Sequence, residues 1–72
     1  MKHWIDDDLS TEQIENLINL WIVGRNAKRN RVIMRLRLID GLTYEQIANV
    51  MDMSPRGIVK IVYKCLAQMA HK

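Results

Sequence analysis

The sequence predicts an all-α domain of four helices, and three observations support this fold class. Apolar residues recur at three- and four-residue spacing in four separate segments, as in amphipathic helices. A residue typical of a helix N-cap precedes each segment. Only three glycines and few β-branched runs occur in the chain. With 72 residues, the chain has the length of a single domain, residues 1–72, near the lower limit for independent folding.

The first helix is predicted to begin after Ser10. Gln13 follows at capping-box spacing, and Leu9 is placed to pack against Ile14. Gly24 is predicted to end this helix as a C′ glycine. The apolar residues of the segment share one helical face: Ile14, Leu17, Ile18, Trp21 and Ile22.

The second helix is predicted from about Ala27 to Asp40, with Asn26 as its N-cap and Gly41 after its end. Its apolar face is broad, so we expect this helix at the centre of the domain. The face contains Val32, Ile33, Leu36 and Ile39, and it is widened by Met34 and Leu38.

The third helix is predicted to be short. Thr43 and Gln46 repeat the capping box, and Leu42 repeats the hydrophobic staple onto Ile47. Its inward residues are Ile47, Ala48 and Met51. Asp52 is predicted to leave this helix in the left-handed conformation, which Asp tolerates better than most residues.

The fourth helix is predicted to begin with Ser54 as N-cap and Pro55 at the first helical position, where no N–H is needed. Its inward stripe contains Ile58, Ile61, Val62, Cys65, Leu66 and Met69. Two helices joined by such a short turn, with Met53 filling the turn, form a helix-turn-helix arrangement over about residues 43–70. This arrangement presents the start of the fourth helix outward.

Charge is distributed unevenly along the chain, although the net charge is only +3. Residues 1–20 contain five acids and one base, whereas residues 21–39 contain six bases and no acid. Lys28, Arg31 and Arg35 form one row on the second helix, and Arg29 and Arg37 lie off it. The basic segment either faces a polyanion or acidic partner, or forms a solvated face paired with the acidic first helix.

Four short motifs fall between residues 31 and 66. They are an Arg-Leu-Arg helix end, an acid-Gly-Leu-Thr-Tyr-Glu-Gln-Ile-Ala opening, a Met-Ser-Pro-Arg turn and a Val-Tyr-Lys in the last helix. Together they resemble the promoter-reading region four of bacterial sigma factors and the related LuxR-type helix-turn-helix. The resemblance implies a role in transcription. Since the parts of a sigma factor that grip polymerase and melt DNA are not in this sequence, it implies a small stand-alone regulator, of a kind common in phages.

The resemblance also implies site residues. Positions that face DNA in the family are occupied by Arg56, Gly57, Val59, Lys60 and Lys64. Positions that approach phosphates are occupied by Thr43, Tyr44, Arg31 and Arg35, and Lys28 extends that row. The sequence departs from the family at Gly57 and Val59, where a Thr and a Lys or Arg are frequent, and at Asp52, where the turn usually has glycine.

Two residues of the fourth helix are open to more than one interpretation. Tyr63 either contacts a DNA backbone through its hydroxyl or packs at the rim against the second helix. Val59 touches a thymine methyl, or joins Pro55 and Gly57 in an apolar patch that docks a protein, or lies at the edge of the core.

The residue pattern does not favour an enzyme, a metal site or a bound cofactor. His3 and His71 lie at opposite ends of the chain, and Cys65 is on an inward stripe. Asp6–Asp8 form a run of three acids without the spacing of a calcium loop.

A cytoplasmic protein is expected because the single Cys65 allows no intramolecular disulfide. The start, "MKHWIDDD", lacks the apolar core of a signal peptide, and no stretch has the length of about 18 apolar residues that a membrane span needs. Trp4 and Ile5 are predicted to form a packed N-terminal arm.

We therefore expect a helix-turn-helix transcription regulator that binds duplex DNA through its last helix and its basic second helix. A homodimer or a polymerase partner is expected, because one reading helix contacts little DNA. The alternative is a protein-binding modulator, an antirepressor or cofactor, that docks on a repressor or on RNA polymerase through the same surface.

Overall fold

The structure, a computed structural model, describes residues 10–70, which form four α-helices and contain no strand. Helix α1 spans Thr11–Trp21, α2 spans Ala27–Leu38, α3 spans Tyr44–Met51 and α4 spans Pro55–Ala70. The predicted all-α fold with four helices is thus confirmed. The predicted staple from Leu9 and the predicted arm at Trp4 and Ile5 lie outside the described residues. Within residues 10–70, none of the helices combines the length and apolar character needed to cross a bilayer.

The core lies where α4 meets the other three helices, all of which contact it. No polar or charged side chain among residues 10–70 is buried, so apolar burial is the main term that stabilises the helix packing. The buried residues are Ile18 and Ile22 of the first segment, Ile33 and Met34 of α2, Ile47 and Ala48 of α3, and Ile58, Val62, Cys65 and Met69 of α4. The predicted inward stripes of α1, α3 and α4 are confirmed, with their remaining members packed against this core.

Both predicted capping boxes are present. At the start of α1, the Gln13 N–H donates to Ser10 Oγ at 3.2 Å, and the Ser10 N–H donates to Gln13 Oε1 at 2.8 Å. At the start of α3, the corresponding bonds between Thr43 and Gln46 are 3.1 and 2.9 Å long. Each box satisfies backbone donors that the first helical turn leaves unpaired.

The end of α1 differs from the prediction. The helix stops at Trp21, and Ile22 is extended, with φ −92° and ψ 100°. Gly24 is therefore not the C′ residue; it lies in the following turn with φ +109°. The physical reason is tertiary: the Ile22 side chain is fully buried, and its carbonyl accepts a hydrogen bond from Arg31 Nε of α2 at 2.9 Å. A local glycine cap is not needed.

Helix α2 also differs in detail. Asn26 precedes the helix but its side chain forms no capping hydrogen bond, because its backbone (φ −105°, ψ 23°) is not extended as an N-cap requires. The helix ends at Leu38, two residues before the predicted Asp40. Val32, predicted to face inward, is 37% exposed, whereas Met34 is fully buried. The apolar side chains of α2 are spread around much of its circumference, so the sequence pattern does not define one inward face. Packing against the three other helices selects it.

The connection from α3 to α4 takes only residues 52–54. Asp52 adopts the predicted left-handed conformation, with φ 56° and ψ 47°. Its N–H bonds Asn49 O at 3.4 Å, and the Met53 N–H bonds Ala48 O at 2.9 Å, the bond pattern of a Schellman motif. Met53 packs against the core as predicted. Ser54 Oγ then accepts the Gly57 N–H at 3.1 Å, which caps the start of α4.

The left-handed residue gives a stability prediction. Among residues 10–70, Asp52 is the non-glycine residue with positive φ. The left-handed conformation costs an L-residue about 1–2 kcal/mol, and the cost is smaller for Asp than for most residues. We expect Asp52→Gly to raise the free energy of unfolding by about 0.5–1 kcal/mol. Urea unfolding followed by circular dichroism measures this change. Asp52→Ala, which keeps a β-carbon and loses the carboxylate, is the control and should be less stable than the parent; a less stable glycine variant would contradict the prediction.

Candidate nucleic-acid interface

The face of α4 opposite the core carries a continuous set of exposed side chains. We call these residues, Arg56, Lys60, Tyr63 and Lys64, the α4 stripe. Lys60, Tyr63 and Lys64 lie four, seven and eight positions after Arg56 and therefore share one side of the helix with it. No acidic residue occurs in α4, and no stripe cation forms an ion pair with any other residue between 10 and 70. The stripe is an uncompensated positive surface.

The start of the stripe is held by the cap of α4. Arg56 is the second helical residue and is exposed, two positions after the capping Ser54. A β-carbon at Gly57 would lie 3.3 Å from Ser54 Oγ, so glycine leaves the cap undisturbed where the sigma-like pattern often has Thr. Gly57 and Val59 are both half-buried and lie at the edges of the stripe. Tyr63 is 61% exposed.

Arg31 and Arg35 of α2 point at α1. Arg31 donates from Nε to Ile22 O at 2.9 Å and from Nη2 to Asn19 O at 3.2 Å. Arg35 donates from Nη2 to Asn19 Oδ1 at 3.3 Å. Its Nε lies 3.8 Å from Glu15 Oε1, a distance for an ion pair but too long for a hydrogen bond. The basic helix thus pairs with an acid of the first helix at Arg35, whereas Arg31 bonds backbone carbonyls.

Arg37, which lies off the predicted basic row, contacts two residues beyond the end of α2. Its Nη1 donates to Leu42 O at 2.8 Å, and its Cζ lies 4.6 Å from the centre of the Tyr44 ring, a cation–π contact. Arg37 therefore joins the end of α2 to the start of α3. Thr43 and Tyr44, predicted to approach phosphates, lie at this junction: the Thr43 hydroxyl caps α3 and the Tyr44 ring lies against Arg37. Residues 37 and 42 are not related by helical periodicity, so the sequence pattern could not predict this hydrogen bond.

Three further bases, Arg25, Lys28 and Arg29, are exposed around the start of α2. Within residues 10–70 none of them forms an ion pair. Arg29 Nε bonds the neighbouring Asn30 Oδ1 at 3.2 Å. The structure thus divides the basic segment into arginines that bind other helices and cations that face solvent.

Cys65 lies in the core beneath the stripe. Burial raises the pKa of its thiol above the ordinary value, and the charges of Lys64 and Arg29 partly oppose that increase. The thiol is protonated at neutral pH, and a protonated thiol is a poor nucleophile. Between residues 10 and 70 no three His, Cys, Asp or Glu side chains come together in an arrangement that could hold a metal ion.

Comparison with known proteins adds no relative: no protein-family model, no curated protein and no solved structure matches the chain. The resemblance to sigma region four stays a prediction that depends on the motifs between residues 31 and 66.

The contacts of Arg31 give a prediction that separates a structural role from a phosphate contact. Arg31→Lys keeps the charge but loses the fork that bonds two carbonyls of α1, because an ammonium is a point charge. We expect a decrease of about 1–2 kcal/mol in the free energy of unfolding, measured by urea denaturation. Lys28→Arg is the control at an exposed position of the same helix and should change stability by less than about 0.5 kcal/mol. Equal stability of Arg31→Lys and the parent would contradict this role.

Proposed function

We propose that the protein is a helix-turn-helix regulator of transcription that binds duplex DNA through the exposed face of α4. The observation that carries the proposal is the α4 stripe. Three cations and a tyrosine, with no acid on the same helix, project from one rigid face. Unpaired basic side chains on one side of a helix are the electrostatic feature expected of a DNA-contacting element.

The arrangement of α3 and α4 supports this proposal. A three-residue connection joins them, and the Schellman bonds at Asp52 and the Ser54 cap fix its path. In helix-turn-helix proteins the second helix of such a pair enters the major groove, which is about 12 Å wide. Arg56 and Lys64 are eight residues apart, so at about 1.5 Å per residue they are separated by ~12 Å along the axis. The stripe therefore has the length needed to span the groove.

Roles within the stripe follow from position. Arg56, at the start of α4, has the planar fork that reads a guanine edge. Lys60 and Lys64 lie one and two turns further along and are suited to phosphate oxygens as point charges. Val59, half-buried beside Lys60, is placed to touch a thymine methyl. In this proposal Arg31 and Arg35 hold α2 against α1 and do not contact DNA.

A second copy or a polymerase partner is part of the proposal. Single DNA-binding modules bury about 600–1,000 Å² of protein surface, and tight specific binding generally combines two of them. A dimer would place two α4 helices on half-sites about one DNA turn apart, ~34 Å.

The test is salt-dependent binding to DNA. The protein is titrated against a fluorescently labelled random duplex at about 50 and 200 mM salt, and anisotropy gives the affinity. We expect affinity to fall steeply with salt. Lys60→Gln and Lys64→Gln should each reduce the slope of log K against log salt by about 0.9 per bound copy of the protein, the value for one phosphate contact.

Lys28→Gln provides the matched control for these variants. It removes the same charge from an exposed helical position that lies in the row of Arg31 and Arg35, on the α1 side of α2. Circular dichroism melting checks that all variants are folded. If the parent protein fails to bind duplex DNA at low salt, the proposal is rejected.

A protein-binding modulator is the second candidate, and the exposure of Tyr63 favours it. A tyrosine 61% exposed within a basic surface is the type of residue that anchors protein interfaces. An antirepressor or cofactor with this surface would bind an acidic site on a repressor or on polymerase.

A further inference from the structure

One side of α1 presents apolar surface that the other described helices leave uncovered. Glu15 and Asn19 mark the side of α1 that faces α2, because both contact Arg35. Leu17 and Leu20 lie about 100–160° of helical rotation from Asn19. Among residues 10–70, no large apolar side chain is more exposed than Leu20, at 67%. Apolar surface therefore remains open on the side of α1 away from α2.

An open groove runs along this side of α1. In the described part of the chain, the side chains that line it are those of Gln13, Asn16, Leu17 and Leu20. Leu17 is half-buried and packs against the core, whereas Leu20 projects beyond it. Val23, two residues after the end of the helix, is 60% exposed as well. Exposed apolar surface with polar residues at its rim is typical of a surface that binds another protein.

The charges at the two ends of α1 are opposite in sign. Glu12 lies in the first turn, and Arg25 is exposed shortly after the helix ends. Neither of them forms an ion pair with another residue between 10 and 70. Glu12 lies five residues before Leu17, and Arg25 lies five residues after Leu20. If two copies of α1 run antiparallel with Leu17 opposite Leu20, Glu12 of one copy therefore lies at the same end as Arg25 of the other. The helix is complementary in charge to a second copy of itself.

We propose that a second copy of this chain docks on the groove, so that two α1 helices pack antiparallel about a twofold axis. Leu17 and Leu20 of each copy form the apolar centre, and Glu12 of each copy pairs with Arg25 of the other. A twofold interface uses the same patch on both copies, so this one groove supplies both sides of the contact.

The proposed dimer is a weak one. A single contact between two short helices is smaller than the standard interface of about 1,600 Å², so we expect a dissociation constant in the micromolar range. The inference deepens the proposed function, which includes a second copy, by naming the face through which that copy binds. Self-association through α1 is measured without DNA, so it is tested separately from DNA binding by α4.

The first experiment measures self-association of the full chain by sedimentation equilibrium. Leu20→Gln should raise the dimer dissociation constant about tenfold, because the side chain is lost from both sides of the interface. Val50→Gln is the matched control: Val50 is 62% exposed on α3, so an equally exposed apolar side chain is removed from a different helix. This control should change the dissociation constant by less than about twofold.

Charge reversal tests the antiparallel register. Glu12→Arg and Arg25→Glu should each weaken the dimer about fivefold, since two attractive pairs become repulsive in each dimer. The two changes shift the net charge in opposite directions, so a general charge effect would strengthen one variant and weaken the other. The double variant, with the charges exchanged, should recover most of the affinity of the parent. Thermal melting of each variant distinguishes a folding defect from a lost contact.

Several outcomes would overturn the proposal. A dimer that is unaffected by Leu20→Gln, or equally weakened by Val50→Gln, forms through another surface. A double variant no tighter than the single variants excludes the antiparallel register. A chain that stays monomeric at millimolar concentration has no such interface; the groove is then covered within the same chain if Leu20→Gln lowers the melting temperature, and binds a different protein if it does not.

The two proposals fail separately. If the parent protein binds duplex DNA but remains monomeric, DNA binding by α4 stands and only this inference is rejected. If the protein forms a dimer that is sensitive to Leu20→Gln and restored by the charge exchange, but binds no duplex DNA at low salt, the α1 interface is supported and the proposed function is rejected.

Discussion

Ile58, Val62, Cys65 and Met69 bury one stripe of α4 against the other three helices, and this burial fixes the rotation of α4 about its own axis. Every other feature of that helix follows from this rotation. Turning α4 by the angle of one residue, about 100°, would move cationic side chains toward a core that contains no polar group to receive them. The direction in which Arg56, Lys60 and Lys64 point is therefore set by apolar packing and not by their own contacts. The same packing makes the exposed face rigid.

Sequence reasoning predicted the features of this fold whose causes are local. The caps at Ser10, Thr43 and Ser54 depend on residues three positions away, and Asp52 takes its left-handed conformation because the chain must turn there. The features it missed have partners distant in the chain. The end of α1 at Ile22 depends on Arg31, nine residues later, and helical periodicity contains no information about that contact. The inward side of α2 was misjudged at Val32 for the same reason.

The candidate site could be predicted only in part. The exposed positions of α4 follow from periodicity, since the apolar stripe of a helix also defines its opposite side. The contacts of each basic side chain on α2 do not follow from periodicity, because a long arginine side chain bonds whichever carbonyl the tertiary structure brings near. In this protein, three arginines of α2 bond groups outside that helix, at Ile22, Asn19 and Leu42, whereas Arg25, Arg29 and Arg56 face solvent as the lysines of α4 do. The guanidinium fork suits Arg31 to its place because it bonds two carbonyls at once.

The hydrogen bonds from Arg31 to the last carbonyls of α1 have a consequence for how the domain opens. Helix α1 has eleven residues, fewer than the roughly 12–15 at which an isolated helix becomes marginally stable in water. The carbonyl of Asn19, in its last turn, and that of Ile22, just after it, accept hydrogen bonds from Arg31 of α2. Loss of α2 packing would thus remove one of the two helices that α1 packs against, together with the donor to these two carbonyls. The two helices form one cooperative unit, and α1 detaches together with the α1–α2 interface and not by gradual fraying from its C-terminal end.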